Sequence, residues 1–214
     1  MRDSVARSFR RWIRHLAASD SLAMQNADGW RRRGYLPHID ATHRLQAITY
    51  RLADSVPKKV IERWLGELGT VTESDRQEQL HRLIAEYEDR GHGDCWLRDP
   101  ENAAIVEENL KHFDGERYRL DAWCVMPNHV HVLIFCHEAE RLDQIVRSWK
   151  NYTARLINRR VGREGRLWNH DYHDRLIRDE DHLLRARRYI RMNPVRAGLC
   201  KRPEDWRFGS AFGG

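Results

Sequence analysis

Residues 118–136 read YRLDAWCVMPNHVHVLIFC and contain the clearest strand pattern of the chain. On both sides of the Pro-Asn pair, apolar residues alternate with others at period two, which is typical of two strands joined by a tight turn. The stretch therefore predicts an antiparallel hairpin, Tyr118–Met126 followed by His129–Cys136. Because successive strand side chains point to opposite faces, His129 and His131 would stand side by side on one face.

The segments around this hairpin predict a mixed domain. Leu45–Leu52 also alternates with period two and predicts a strand, while apolar residues at helical spacing predict helices before and after the hairpin. The order β-α-β-β-α-β-α, with an inserted helix pair after the first strand, is typical of an α+β, ferredoxin-like fold. We therefore expect an antiparallel sheet with helices on one face. The other predicted elements are helices at 58–68, 73–89, 101–113, 141–161 and 179–192 and a short strand at 172–177.

Length and composition bound the domain organisation. With 214 residues, the chain has room for one domain of ordinary size plus an arm or an insertion. We expect a basic N-terminal arm over 1–33, either nucleic-acid-binding or partly disordered, and a single domain over 34–214. A helical insertion at about 58–90 is acidic and carries no recognisable chemistry. The longest apolar run, VLIFC, is far shorter than the roughly 20 residues of a membrane-spanning helix.

Positive charge is concentrated in the last third of the chain. Residues 147–202 contain 16 Lys and Arg against 6 Asp and Glu, whereas residues 36–146 contain 13 against 21. Such segregation favours a polyanionic partner, with nucleic acid first and an anionic membrane surface second. The alternative is an arginine-rich helix face that is simply solvated. The four cysteines lack CxxC spacing and indicate reduced thiols in a cytoplasmic protein.

Two groups of residues suggest chemistry. A His-x-His pair on a free sheet face can give two nitrogen ligands to a divalent metal and leave positions open for a third group and a substrate oxygen. Tyr189 and Asn193, four apart on the last predicted helix, lie on the same side of it. A tyrosine pKa near 10 must be offset by nearby guanidinium groups or a metal if the phenol is a nucleophile. The plainer alternatives are surface histidines and a half-buried helix aromatic.

Four stretches carry a family pattern: AWCVMPNHVHVLI at 122–134, RSWKNYTARLINR at 147–159, RLWNHDYHDRLIRDE at 166–180 and YIRMNPVRAGLC at 189–200. Together they resemble the HUH single-tyrosine transposases of the IS200-like type, and within these the REP-associated tyrosine transposases of bacteria. His-x-His alone is a weak signal. MPNHVHVL followed at the family's distance by YIRMNPVRAGL is a specific one, and the resemblance extends over about residues 34–210.

The resemblance implies a metal-dependent single-strand DNA endonuclease and transposase with a ferredoxin-like fold. It implies that His129 and His131 hold Mg²⁺ or Mn²⁺ at a scissile phosphodiester. Tyr189 would be the nucleophile, leaving a 5′-phosphotyrosine link and a free 3′-hydroxyl. Asn193 occupies the family's third ligand position. Because a neutral amide is a weaker ligand than a carboxylate, a water or Asp121 is the alternative.

The resemblance also implies a partner, single-stranded DNA folded into REP-like palindromic hairpins. It implies action in the bacterial cytoplasm, at the nucleoid, and leaves monomer and homodimer open. We expect base stacking on Trp168, although tryptophans beside strands are more often core residues. Salt-dependent backbone contacts would come from basic residues of the last two long helices and the loop between them. These are Arg155, Arg159, Arg160, Arg163, Arg185 and Arg188.

Further assignments stay open from the sequence. Tyr152 is a second candidate nucleophile, but it has no amide four residues later. His182 is a candidate for proton transfer, since it precedes Tyr189 by two helical turns. The alternative to a transposase is a catalytically inactive DNA-binding regulator of the same fold. A third hypothesis is a hydrolytic nuclease that uses water in place of the phenol.

Overall fold

The computed structural model describes residues 30–33, 36–39, 45–69, 72–137 and 140–213. The predicted N-terminal arm therefore lies outside the described residues apart from its last four positions. Within the described ranges, no helix is long and apolar enough to cross a bilayer.

The described chain forms six strands and five α-helices. The first two strands, β1 (Trp30–Arg33) and β2 (Leu36–Ile39), pair only with each other in a two-stranded sheet. Two short 3₁₀ turns lie later in the chain, at Trp96–Arg98 and Pro203–Asp205. The remaining elements are β3 (Leu45–Leu52), α1 (Lys58–Glu67), α2 (Glu73–Asp89), α3 (Pro100–His112), β4 (Tyr118–Val125), β5 (His129–Cys136), α4 (Leu142–Val161), β6 (Trp168–Leu176) and α5 (Glu180–Arg196).

Strands β3 to β6 form one antiparallel sheet in the order β4-β5-β3-β6. This order, with β3 and β5 at the centre and a helical crossover before β4 and before β6, is ferredoxin-like, so the predicted fold class is confirmed. The predicted hairpin forms between β4 and β5, where the Met126 N–H donates to the His129 carbonyl at 2.9 Å. The register between β3 and β5 sets Thr49 opposite His131 and Arg51 opposite His129.

One face of the sheet carries the main core. Val130, Val132 and Ile134 of β5 are fully buried there against α3 and α4. The largest fully buried side chain in this core is Trp149 of α4, whose indole N–H donates to the Tyr118 hydroxyl at 3.0 Å. Because a buried indole N–H needs a partner, this bond satisfies the polar end of a residue that otherwise contributes apolar area.

The opposite face of the sheet carries His129, His131 and Leu133. Helix α5 packs on it through Leu183 and Ile190, which join Leu133 in a second apolar cluster. The expectation of helices on one face therefore holds for α3 and α4 but is wrong for α5. The two histidines are consequently buried, at 1% and 3% exposure, instead of standing on an open sheet.

Two predicted elements have a boundary that differs by more than one residue from the structure. Strand β6 begins at Trp168 instead of residue 172, because its early part continues the pairing with β3 as far as Leu52. Helix α5 continues through Pro194 to Arg196 instead of ending at residue 192. A proline removes its own N–H but keeps its carbonyl. The last turn therefore still closes, with the Leu199 N–H donating to the Pro194 carbonyl at 2.9 Å.

Trp168 belongs to the core. It is 4% exposed, its indole N–H donates to the Thr153 hydroxyl at 2.9 Å, and its ring packs edge-on against Tyr50 with centroids 4.9 Å apart. Both faces of the ring are covered, so the predicted base stacking on this residue is wrong.

Replacing Trp168 by alanine should therefore cost stability. Large-to-small changes of buried tryptophan typically lower the free energy of unfolding by about 3–5 kcal/mol. The matched control is Tyr152→Ala, because that ring is 44% exposed and its loss should stay within about 0.5 kcal/mol. Urea denaturation measures both, and equal losses would contradict the core assignment.

Candidate metal and nucleophile site

The two predicted imidazoles converge. The Nε2 atoms of His129 and His131 lie 3.0 Å apart, with the rings at 80° to each other. A third group joins them, since the Asp89 carboxylate has an oxygen 3.8 Å from His129 Nε2. One ligand atom from each of the three residues lies within 4.8 Å of the others. The site therefore combines two nitrogens and one anionic oxygen.

Asp89 is the residue that sequence reasoning missed. It is the last residue of α2, inside the insertion for which the sequence indicated no chemistry, and the structure adds a candidate ligand there. A signal existed in the sequence, because Glu88 and Asp89 end a helix whose C-terminal dipole disfavours negative charge. Acidic residues at a helix C-terminus destabilise the helix locally, and positions that are locally unfavourable in this way are often functional. No pattern could show which strand this helix end would meet.

Asn193 also reaches the site, and its polar atoms are unusual. The residue is fully buried, yet neither its amide oxygen nor its amide nitrogen has hydrogen-bond geometry with a described residue. Asp89 Oδ1 is likewise buried without a hydrogen-bond partner. Burial raises the pKa of Asp89 and lowers that of His129, and the neighbouring Asn193 amide partly opposes both shifts. Orphaned buried polar atoms are costly and usually indicate a missing ion or water.

The donor set fits a divalent metal ion. Two donors that each sit about 2.1 Å from one ion lie roughly 3.0–4.2 Å apart, which includes the 3.0 and 3.8 Å separations at this site. Imidazole and carboxylate together are common ligands of first-row divalent metals. Asn193 gives one further donor position, and an ion would supply a partner to the buried Asp89 and Asn193 atoms that have no hydrogen bond.

The electrostatic environment keeps the imidazoles neutral. Burial lowers the pKa of His129 to about 3, and the Arg51 guanidinium adds to this effect. Burial also holds the pKa of His131 well below its usual range. A neutral imidazole has one lone pair to offer a metal, so neither ring has to change its net charge at neutral pH in order to coordinate.

Tyr189 lies beside this cluster, as the sequence predicted. Its ring packs edge-to-face against His131 with centroids 5.3 Å apart, and the Arg196 guanidinium lies 4.8 Å from the ring centre. Burial and the negative charge of Asp89 raise the pKa of the phenol, while Arg196 acts in the opposite direction. The phenol is therefore protonated at neutral pH.

The guanidinium group beside Tyr189 belongs to Arg196, seven residues later on the same helix. Arg187 of this helix forms a two-point ion pair with Asp121, at 2.6 and 2.9 Å. Asp121 is thereby occupied, so its assignment as an alternative metal ligand is wrong. This pair fixes α5 to β4 and so helps to hold Tyr189 over the sheet.

The predicted DNA-contacting arginines do not form one surface. Arg155 and Arg159 are exposed on α4, on the sheet face opposite the histidines, whereas Arg185 and Arg188 are exposed on α5. Arg160 is tied to Asp99 and Glu101 at the start of α3. Arg163 donates to the Asn158 side chain at 2.9 Å, so these two arginines brace loops.

The two remaining candidates lie away from the cluster. Tyr152 is exposed on α4, so the sheet separates it from the imidazoles, and its ring meets Arg155 at 5.7 Å instead. His182 lies in the first turn of α5, where its Nδ1 accepts from the Arg178 N–H at 3.4 Å. Neither residue has the neighbours that its proposed chemistry requires.

A cavity of about 290 Å³ adjoins the site. Thr49 and Arg51 of β3 form its floor, and α2 contributes His81 and Glu88. His81 stacks on His173 of β6 with ring centroids 3.5 Å apart. Burial raises the pKa of Glu88 to about 7 against the influence of Arg51, to which it is paired at 3.4 Å.

Comparison with known proteins bears directly on this site. Residues 100–193 match the model of a family described as "Transposase IS200 like". The family resemblance is confirmed. The IS200-like segment contains His129, His131, Tyr189 and Asn193, and ends before Arg196. Asp89 lies outside it, in the insertion.

One curated relative and one solved structure are also similar to this chain. A Haemophilus influenzae protein, described as a candidate REP-associated tyrosine transposase, is 27% identical over 126 residues, which cover 50% of this chain and 65% of the relative. This chain thus spans about two thirds of that protein's length. The structure of a REP-associated tyrosine transposase bound to a REP hairpin superposes with a TM-score of 0.52 at 15% identity, covering 84% of this chain and 81% of that one. This likeness supports the fold.

The role of Asp89 can be tested by metal binding. Asp89→Asn keeps the shape but removes the anionic oxygen, so Mn²⁺ affinity should fall by at least about tenfold. Asp99→Asn is the matched control, because that carboxylate pairs with Arg160 at the start of α3, away from the histidines, and should leave Mn²⁺ affinity unchanged. Isothermal titration calorimetry measures both, and equal affinities in the two variants would exclude Asp89 from the site.

Burial of the imidazoles also predicts how stability depends on pH. Burial lowers the pKa of His81 to about 4, so the unfolded chain binds a proton below about pH 6.5 that the folded chain binds only near pH 4. His129 and His131 act in the same sense, and Glu88 opposes them because its pKa is raised. The free energy of unfolding should therefore decrease as pH falls from 6.5 to 4.5.

His81→Phe isolates one part of this effect, since it preserves a stacked ring outside the ligand set. The slope of unfolding free energy against pH should drop by about 1.4 kcal/mol per pH unit, which corresponds to one proton. Guanidinium denaturation at stepped pH measures the slope. An unchanged slope would show that His81 titrates alike in both states.

Proposed function

We propose that this protein is a metal-dependent strand transferase that cuts and rejoins single-stranded DNA at REP-like hairpins, with Tyr189 as the nucleophile. The observation that carries the proposal is the edge-to-face contact of Tyr189 with His131, whose Nε2 is 3.0 Å from that of His129. One phosphodiester could contact the phenol and the imidazole pair together. The IS200-like match supports DNA as the substrate, and so does the REP hairpin that is bound in the similar solved structure.

The proposed step exchanges one phosphoester for another. The Tyr189 oxygen attacks the phosphorus, the bond to the 3′-oxygen breaks, and a 5′-phosphotyrosine link forms. The phenol proton passes to solvent, and the leaving 3′-oxygen takes a proton from solvent. Attack by a second 3′-hydroxyl reverses the exchange and joins strands, so the reaction needs no external energy source.

His129, His131 and Asp89 would hold the ion, and Asn193 is the fourth candidate donor. When bound, Mg²⁺ or Mn²⁺ would supply positive charge that stabilises the pentavalent transition state and the leaving oxygen. Arg196, already next to the Tyr189 ring, is suited to favour the phenolate. Its side chain is half-exposed, so it can also face the substrate phosphate.

The DNA backbone is proposed to approach along α5. Arg185 and Arg188 are exposed on this helix, which also carries Tyr189. Arg155 and Arg159 lie across the sheet and would contact a more distant part of a folded hairpin. This division follows from the fold, because α4 and α5 pack on opposite faces.

Tyr189→Phe tests the proposal directly. A labelled hairpin oligonucleotide incubated with the wild-type protein and Mn²⁺ should yield a labelled band that migrates with the protein on a denaturing gel. Tyr189→Phe should reduce this band at least about 1,000-fold, since the nucleophile is gone, while binding persists. Tyr152→Phe is the matched control and should leave the band unchanged.

Other outcomes identify the alternative functions. Cleavage that survives Tyr189→Phe, with no covalent band, would indicate a hydrolytic nuclease that uses water. Binding without cleavage by the wild-type protein would indicate an inactive DNA-binding regulator of the same fold. A band lost in Tyr152→Phe but retained in Tyr189→Phe would contradict the assigned nucleophile.

A further inference from the structure

We propose that Asn128 is a positioning residue that fixes His129 in the Nδ1–H tautomer, whereas Thr49 lets His131 exchange tautomers when the metal binds. The inference rests on the proposed metal role of the two imidazoles. It makes the end of the helical insertion part of the metal site in a second way, through hydrogen bonds instead of a ligand.

The orientation of the Asn128 amide is determined by its surroundings. The residue is fully buried in the turn before β5, and its side-chain nitrogen lies 3.1 Å from the Glu88 carbonyl and 2.9 Å from the His92 carbonyl. Both carbonyls can only accept, so only the NH₂ group can face them. The amide oxygen must then point the other way, where it lies 2.7 Å from His129 Nδ1.

This orientation fixes the proton on His129. An amide oxygen has no proton to donate, so the 2.7 Å contact is a hydrogen bond only if Nδ1 carries the proton. A neutral imidazole has one N–H, and Nε2 of His129 therefore presents a lone pair to the site. Partners of this kind behind a ligand are what orient metal-binding histidines in general.

His131 is held differently. Its Nδ1 lies 2.8 Å from the Thr49 hydroxyl, which can donate or accept and so imposes no tautomer. Without metal, His129 Nε2 is an acceptor 3.0 Å from His131 Nε2, so the proton of His131 lies on Nε2. Thr49 then donates to Nδ1.

Metal binding requires the opposite arrangement at His131. Its Nε2 must give up the proton to expose a lone pair, and a proton must bind to Nδ1. The Nδ1–H group can then donate a hydrogen bond to the Thr49 oxygen. One proton leaves the ring and one returns, so the ring stays neutral. Only His131 changes, because Asn128 has no second arrangement to offer.

The carbonyls that hold Asn128 belong to the insertion. Glu88 is the last residue but one of α2, directly before Asp89, and His92 lies in the loop that follows. The same short segment therefore supplies a candidate ligand and the anchor that orients another ligand. This explains why the insertion ends against the turn before β5.

The tautomers can be read by long-range ¹H–¹⁵N correlation spectra of protein labelled with ¹⁵N-histidine. In the metal-free protein we expect Nδ1–H at His129 and Nε2–H at His131. Addition of Zn²⁺, a diamagnetic probe, should leave His129 unchanged and convert His131 to Nδ1–H. An Nε2–H signal at His129 without metal, or one tautomer at His131 throughout, would overturn the inference.

Asn128→Ala tests the anchor. Without it, His129 should populate both tautomers, and Zn²⁺ affinity should fall about 10- to 100-fold. Asn102→Ala is the matched control, because it also removes a buried amide that donates to a backbone carbonyl, that of Trp96 at 2.8 Å, in another part of the chain. It should lower stability without affecting either readout. Equal changes in both variants would reduce Asn128 to a structural residue.

The outcomes separate this inference from the proposed function. If Asn128→Ala does not fold, the metal-free wild-type spectrum alone decides the tautomer of His129. If Zn²⁺ leaves both imidazole spectra unchanged, the metal site itself fails, whatever the tautomers are. If the tautomers are as expected but Tyr189→Phe still forms the covalent band, the inference stands and the proposed nucleophile fails.

Discussion

Two neutral imidazoles are buried side by side, and the arrangement of the site follows from the need to give each of their nitrogens a partner. Their Nε2 atoms lie 3.0 Å apart and face buried polar atoms of Asp89 and Asn193 that have no hydrogen-bond partner. Burying so many polar groups is costly unless each is satisfied. Asn128 and Thr49 satisfy the outer nitrogens, and a cation would satisfy the inner group.

Each element of the fold has an identifiable part in meeting this constraint. The alternation of β5 sets both histidines on one face, and β3 brings Thr49 opposite His131. Helix α5 crosses that face and carries Tyr189 and Asn193, held against β4 by the pair of Arg187 with Asp121. The insertion completes the ring from the third side with Asp89.

Much of this could be predicted from the sequence, and the reasons are local. The period-two pattern of the hairpin defines β4 and β5, and therefore which histidines share a face. Helical spacing relates Tyr189 to Asn193. These inferences need only the geometry of a single element, and the structure brings all four residues together.

The parts that could not be predicted depend on how elements pack. Asp89 reaches the histidines only because α2 ends at the turn before β5, and no periodicity encodes that contact. Trp168 has an aromatic side chain of the kind that can stack on a base, but it is buried against Tyr50 and Thr153. The cationic C-terminal third looks like one surface along the chain, yet α4 and α5 divide it between opposite faces.

Pulsed EPR of bound Mn²⁺ tests whether His129 and His131 hold the ion next to a DNA phosphate, because it detects nuclei within a few ångströms of the ion. In Tyr189→Phe protein bound to uncleaved hairpin DNA, we expect couplings to two histidine nitrogens and to one ³¹P nucleus at the same ion. Loss of one nitrogen coupling in His131→Ala would assign the signal. A ³¹P coupling without histidine nitrogens would mean that the ion sits on the DNA alone, and the account of this site would be wrong.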